Sequence, residues 1–148
     1  MFSPRLNFDW FYQKLVEDAL DAIIYADVGG MIRFWNRAAE RIFGFSEAEV
    51  LGRSLDVIIP ETLRKRHWEA YEQTMRSGNT RYGAGDVLAV PAIRKDHGRL
   101  SIEFSILLFR DQDGHMLGVA AILRDVTHRF EETKALRNEV AALRKRVE

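Results

Sequence analysis

The 148-residue chain contains no cysteine. That excludes disulfides, thiolate metal sites, c-type heme attachment and cysteine nucleophiles, and it fits a reducing compartment. There is no excess of one charge either: 22 Lys and Arg balance 22 Asp and Glu. So balanced a chain lacks the basic footprint that nucleic acid selects, so DNA and RNA are not expected partners. No run reaches the roughly 18–20 apolar residues of a membrane span. The start, MFSPRLNFDWFYQ, has no basic stretch leading into an apolar one. Neither a membrane nor a signal peptide is therefore expected, and the expected location is the cytoplasm. Phosphate loops, dinucleotide glycine fingerprints, nucleophile elbows and HExxH pairs are missing too, so no enzyme is expected.

What is present is a core of ordinary composition, 47 % hydrophobic and 30 % charged, enough for one domain to bury a core without staples. Three regions differ in pattern: a helical leader over residues 1–20, a mixed core over 21–127 and a polar helix over 128–148. In the leader, Phe8, Phe11, Leu15 and Ala19 form one helical stripe beside Trp10, with Pro4 and Asn7 ahead of it. That stripe either packs on its own core or meets a second copy.

Two short strands follow, Ala22 to Ala26 and Met31 to Trp35, separated by the Asp27, Gly29 and Gly30 turn signal. Asn36 caps a helix with Ala39, Ile42 and Phe43 inward and Gly44 at its end. Ser46 and Glu49 have capping-box spacing and open a second short helix ending at Gly52. A longer helix is predicted from Glu61 to Ser77, between Pro60 and Gly78. Leu63, His67, Ala70, Tyr71 and Thr74 share one face; Arg64, Lys65, Glu69, Glu72 and Arg76 form a solvated one.

Three strands complete the core: Val87 to Arg94, Leu100 to Phe109, and Met116 to Leu123, the last two joined by a turn over Asp111 to Gly114. In the second of these, Leu100, Ile102, Phe104 and Ile106 point one way. The order describes an α+β fold, a five-stranded antiparallel sheet with helices on one face, flanked by an N-terminal helix and a C-terminal coiled-coil helix. In that tail, Leu136, Val140, Leu143 and Val147 are spaced 4, 3 and 4 apart among Glu131, Arg137, Glu139, Arg144 and Lys145. This is an a/d seam over two heptads, which favours a dimer over packing on its own domain.

The run Phe34-Trp35-Asn36-Arg37-Ala38-Ala39-Glu40-Arg41-Ile42-Phe43-Gly44-Phe45, continued by Ser46 to Gly52, resembles the PAS family signature. So does Gly118 to Thr127, with Asp125-Val126-Thr127 standing where the family closes on Asp-Ile-Thr. The resemblance spans about residues 20–128 and implies a PAS sensory module in signal transduction. Its light-sensing flavin and yellow-chromophore branches both need a cysteine, so their chemistry is excluded here.

Ile59 to Tyr71, followed by Ser77-Gly78, resembles the long helix of heme-binding PAS domains in oxygen-sensing kinases and phosphodiesterases. That resemblance implies heme b with His67 as axial ligand and metal site. It implies Arg81 as the partner of a propionate, and Tyr71, Val87, Ile102, Phe104 and Ile106 around the cofactor. An imidazole facing an apolar pocket and a guanidinium facing a carboxylate are the chemistry such a site uses.

Where oxygen sensors of that branch carry an Arg or a Met, this chain has Gly85 and Val87, with Asp86 between them. Carbon monoxide, nitric oxide, redox state or heme itself are therefore expected signals alongside oxygen. The alternative is a cofactor-free dimerisation module, or a sensor of a small organic ligand, in which His67 bonds a buried carbonyl and Trp35, Phe43, Tyr71 and Phe104 fill the space. His97, His115 and His128 are expected to be solvated. A homodimer through the terminal helices is expected, with output to an effector protein or effector domain.

Overall fold

The computed structural model describes residues 6–80 and 88–147. Its elements run α1 (Phe8–Asp18), β1 (Ala22–Asp27), β2 (Ile32–Trp35), α2 (Arg37–Phe43), α3 (Glu47–Val50), a 3-10 turn (Leu55–Ile58), α4 (Glu61–Ser77), β3 (Leu88–Ile93), β4 (Arg99–Arg110), β5 (Met116–Asp125) and α5 (Thr127–Val147). The strands form one antiparallel sheet in the order β2-β1-β5-β4-β3. The first and last strands of the chain thus lie side by side at its centre.

Alternation sets the two faces of the sheet. Ala22, Ile24 and Ala26 of β1 are buried, whereas Ile23 and Tyr25 between them are half-buried. On the same inner face stand Leu100 and Ile102 of β4 and Leu123 of β5, under Ala38, Ala39, Ile42 and Phe43 of α2. The fully buried Trp35 and Phe43 rings meet at 5.4 Å and anchor this core. Phe43 and Trp35 therefore belong to the core beneath α2, as large apolar rings do wherever they can leave water.

One polar side chain is buried in this region. Asn36, 2 % exposed, accepts from the amides of Ile23 and Ala39 and donates to the carbonyls of Val16 and Asp21. It caps α2 and fastens the end of α1 to β1 with the same amide group. The Ser46 and Glu49 capping box forms as the spacing predicts.

The terminal helices are exposed. No α1 residue is fully buried, and Phe8 and Leu15 remain exposed, so the stripe does not enter the core. α5 begins against β4, where the Ser101 amide donates to Thr127 Oγ1 at 3.0 Å and Arg129 pairs with Glu103. Beyond that root its side chains are solvated. No described helix is long and apolar enough to cross a membrane.

Candidate functional site

α4 is bracketed by Pro60 and Gly78, with an acidic first turn and Arg76 in the last, in keeping with the helix dipole. None of its residues is fully buried. Long-range side-chain bonds hold it instead. Trp68 Nε1 donates to Asp56 Oδ1 at 2.7 Å, and Tyr71 Oη donates to the Asp27 carbonyl at 2.5 Å. Arg64, expected on the solvated face, folds back to donate to the carbonyls of Ile59 and Asp56. It partners the Ile59 carbonyl at the end of the 3-10 turn and adds a second donor to the Asp56 carbonyl, which already accepts the Ile59 amide.

Between α4 and the sheet lies a cavity of about 190 Å³. Its walls are Ile24 and Ala26 of β1, Leu88 of β3, Phe104 and Ile106 of β4, and Val119 and Ala121 of β5. α4 contributes His67, Ala70, Tyr71 and Thr74, and Leu55 and Thr80 complete the lining. The space exists because three of these positions are alanine, each leaving a gap that a larger side chain would fill.

His67, Tyr71, Phe104 and Ile106 come together here as the sequence pattern places them. Ile102 does not line the cavity. It shares the Phe104 face but lies two residues back along β4, beneath α2, and is 5 % exposed within the core. Arg81 and Val87, with Gly85 and Asp86, lie outside the described residues. Sequence reasoning missed Ile24, Ala26, Val119, Ala121, Leu88, Leu55 and Thr80. The alternation of β1 and β5 was the signal that could have found the first four.

His67 is the chemically distinctive member. Its Nδ1 is buried and has no hydrogen-bond partner among the described residues, so this nitrogen bonds no carbonyl there. Leaving a buried nitrogen unpaired costs about 1–3 kcal/mol. Its ring packs edge-on against Trp68 at 4.7 Å and beside Tyr71 at 5.8 Å. Burial pushes its pKa below the ordinary histidine value, and the nearby Asp56 carboxylate only partly opposes that. The imidazole is thus neutral at pH 7, with a lone pair available. Tyr71 is pushed up by burial and by Asp27 and Tyr25, so its phenol stays protonated and committed to β1.

The other histidines lie apart from this site. His97 is exposed in the β3–β4 turn with φ 67°. His128 is exposed beside Glu132. His115 is exposed and faces Asp111 at 3.3 Å. Asp111, Asp113 and His115 bring ligand atoms within 4.8 Å of one another, but all three are exposed. The Asp111 carboxylate already accepts the amides of Asp113 and His115, which makes it a turn-forming group.

The PAS fold family matches residues 11–126. The chain belongs to the PAS family. Among curated relatives, it is similar to the sensor protein FixL of Bradyrhizobium diazoefficiens, 31 % identical over 120 residues. That match covers 81 % of this chain and 23 % of the relative. It is also similar to the oxygen sensor protein DosP of Escherichia coli, 30 % identical over 71 residues, 48 % of this chain and 9 % of the relative. The chain therefore spans under a quarter of the curated relatives named here. Among solved structures, a PAS domain from Colwellia psychrerythraea superposes with a TM-score of 0.70 at 18 % identity, over 82 % of this chain and 99 % of that one. This PAS domain is a sensory module of signal transduction.

Proposed function

We propose that this PAS domain is a cytoplasmic sensor that binds heme b through His67 and responds to a diatomic gas, redox state or heme itself. The observation that carries the reading is the buried, unpartnered Nδ1 of a neutral imidazole on an apolar cavity. A ligand nitrogen must be deprotonated before it meets a metal, and burial has already arranged that. The similarity to an oxygen sensor protein supports the same class of signal.

The donor chemistry fits the cofactor. His67 would supply the axial nitrogen, and Ile24, Phe104, Ile106 and Val119 the apolar wall. Bound heme supplies an iron that takes a small ligand or changes oxidation state. Tyr71 keeps its bond to Asp27 and holds α4 in register with β1. A shift of the sheet passes to α5 through Ser101–Thr127 and Glu103–Arg129. The module has no catalytic role of its own. It pairs with a second copy through α1 and α5 and hands its output to an effector protein or domain.

One observation favours a second reading. At about 190 Å³ the cavity is smaller than the roughly 300–1,000 Å³ of typical ligand pockets. A cofactor-free dimerisation module, or a sensor of a small apolar organic ligand, needs no more room than this.

Hemin titration separates the two. A sharp Soret band saturating at one heme per chain is expected, shifting with dithionite and carbon monoxide. It should be lost in a folded His67→Ala variant. An unchanged spectrum in that variant, or no saturable band in the parent protein, overturns the heme reading.

A further inference from the structure

The imidazole of His67 has no hydrogen bond at Nδ1 to aim it: that nitrogen is buried without a partner among the described residues. Metal-binding histidines are ordinarily aimed by a bond from one ring nitrogen to a carboxylate, a carbonyl or water, and losing that support costs roughly 10–100-fold in metal affinity. The ring torsion of histidine is otherwise broad, so a ring without such a bond is free to turn. A turned ring offers its lone pair to no fixed point in the cavity. Packing has to hold this one.

Trp68 is the residue placed to do so. Its indole stands edge-on to the imidazole, with centroids 4.7 Å apart and planes at 82°. Tyr71 lies farther off, at 5.8 Å and 34°. Trp68 does not line the cavity, so it acts on a ligand there only through His67. The indole is itself fixed at both ends. Nε1 donates to Asp56 Oδ1 at 2.7 Å, and the outer edge of the ring fills the space that a side chain on Gly30 would need. Tyr71, tied to the Asp27 carbonyl, closes its flank edge-on at 5.3 Å. A planar side chain bonded at one end and wedged at the other has one place to be.

We infer that Trp68 is a positioning residue for His67: anchored on Asp56 and seated over Gly30, it sets the plane of the imidazole. Asp56 serves as the acceptor of the indole N–H, so its oxygen is what the arrangement needs. This deepens the heme reading above and rests on it for its use, but the ring geometry stands in the heme-free protein and is tested there as well.

Three variants of the full chain read it out. Asp56→Asn keeps an oxygen for Trp68 Nε1 and removes the charge. Asp56→Ala removes both. Trp68→Phe keeps an aromatic ring and removes its anchor, so loss of the fold in one anchor variant leaves the other. In the heme-free protein, carbon-13 relaxation of the His67 ring should show one rigid orientation in the parent and in Asp56→Asn. Asp56→Ala and Trp68→Phe should add motion to that ring while the amide spectrum stays native. Equal rigidity in all four proteins overturns the inference, whatever heme does. In hemin titrations, the two anchor variants should bind roughly 10-fold more weakly than the parent, and Asp56→Asn within about twofold of it. A loss in Asp56→Asn as large as in Asp56→Ala means that the charge acts rather than the anchor, and also overturns it. A parent with no saturable Soret band overturns the heme reading instead, and the relaxation comparison still decides the positioning role.

Discussion

Trp68 occupies the place where any side chain on Gly30 would stand. A Cβ at Gly30 would fall 2.2 Å from ring carbons Cη2 and Cζ3 of Trp68, and the Gly30 backbone is left-handed with φ +78°. The same indole donates to Asp56. One side chain on α4 thus fastens both the β1–β2 turn and the 3-10 turn, and so sets the height of the cavity roof.

Gly30→Ala should therefore destabilise by about 2–4 kcal/mol, combining left-handed strain with overpacking against a held ring. Gly114→Ala is the control. Its φ is +85°, but a Cβ there meets nothing within 4 Å. It should cost only the strain, about 1–2 kcal/mol. Urea midpoints of the two variants check this, and equal losses would show that Trp68 yields freely.

Asn36 is the joint between α1, β1 and α2. Asn36→Ala removes a helix cap and leaves the buried Ala39 amide and the half-buried Ile23 amide without their acceptor. About 2–4 kcal/mol should be lost. Asn36→Ser retains the cap oxygen alone and should recover only part of that. Hydrogen exchange should locate the damage at the Ile23 and Ala39 amides, and unchanged protection there would argue against the joint.

His67 makes the heme-free protein sensitive to mild acid. Its folded pKa lies below the ordinary 6.5 because burial disfavours the charged ring. Between those two values the unfolded chain binds more protons, so stability rises with pH. The contribution is complete above about pH 6.5 and is lost as pH falls toward the folded pKa. His67→Leu lacks this component. The stability difference, parent minus variant, should hence decline below pH 6.5 and level off in stronger acid. A difference flat across that range, measured by chemical denaturation, would mean that His67 is not held neutral.

Local rules are legible in this sequence wherever a few neighbouring residues decide the outcome. Pro60 and Gly78 bracket α4, and the observed helix spans Glu61–Ser77 as predicted. Ser46 with Glu49, Asn36 and Gly44 act where their spacing puts them. Alternation along β4 sorts its two faces correctly. The candidate site is legible to the same extent: His67 and Tyr71 on α4, and Phe104 and Ile106 on β4, line one cavity.

Only the tertiary structure decided the rest. Periodicity names the face on which a residue lies but not how far along that face the cavity begins. Ile102 and Phe104 are therefore indistinguishable in sequence, yet one lies in the core and the other lines the cavity. Nor could the sequence show that Trp68 and Tyr71 would hold α4 through Asp56 and Asp27, 12 and 44 residues away. Such bonds depend on where the sheet brings distant turns, and that is settled by the packing of the whole chain. The unpaired nitrogen of His67 is the clearest case: a residue type gives the donor, but only its three-dimensional surroundings decide whether a partner stands within reach.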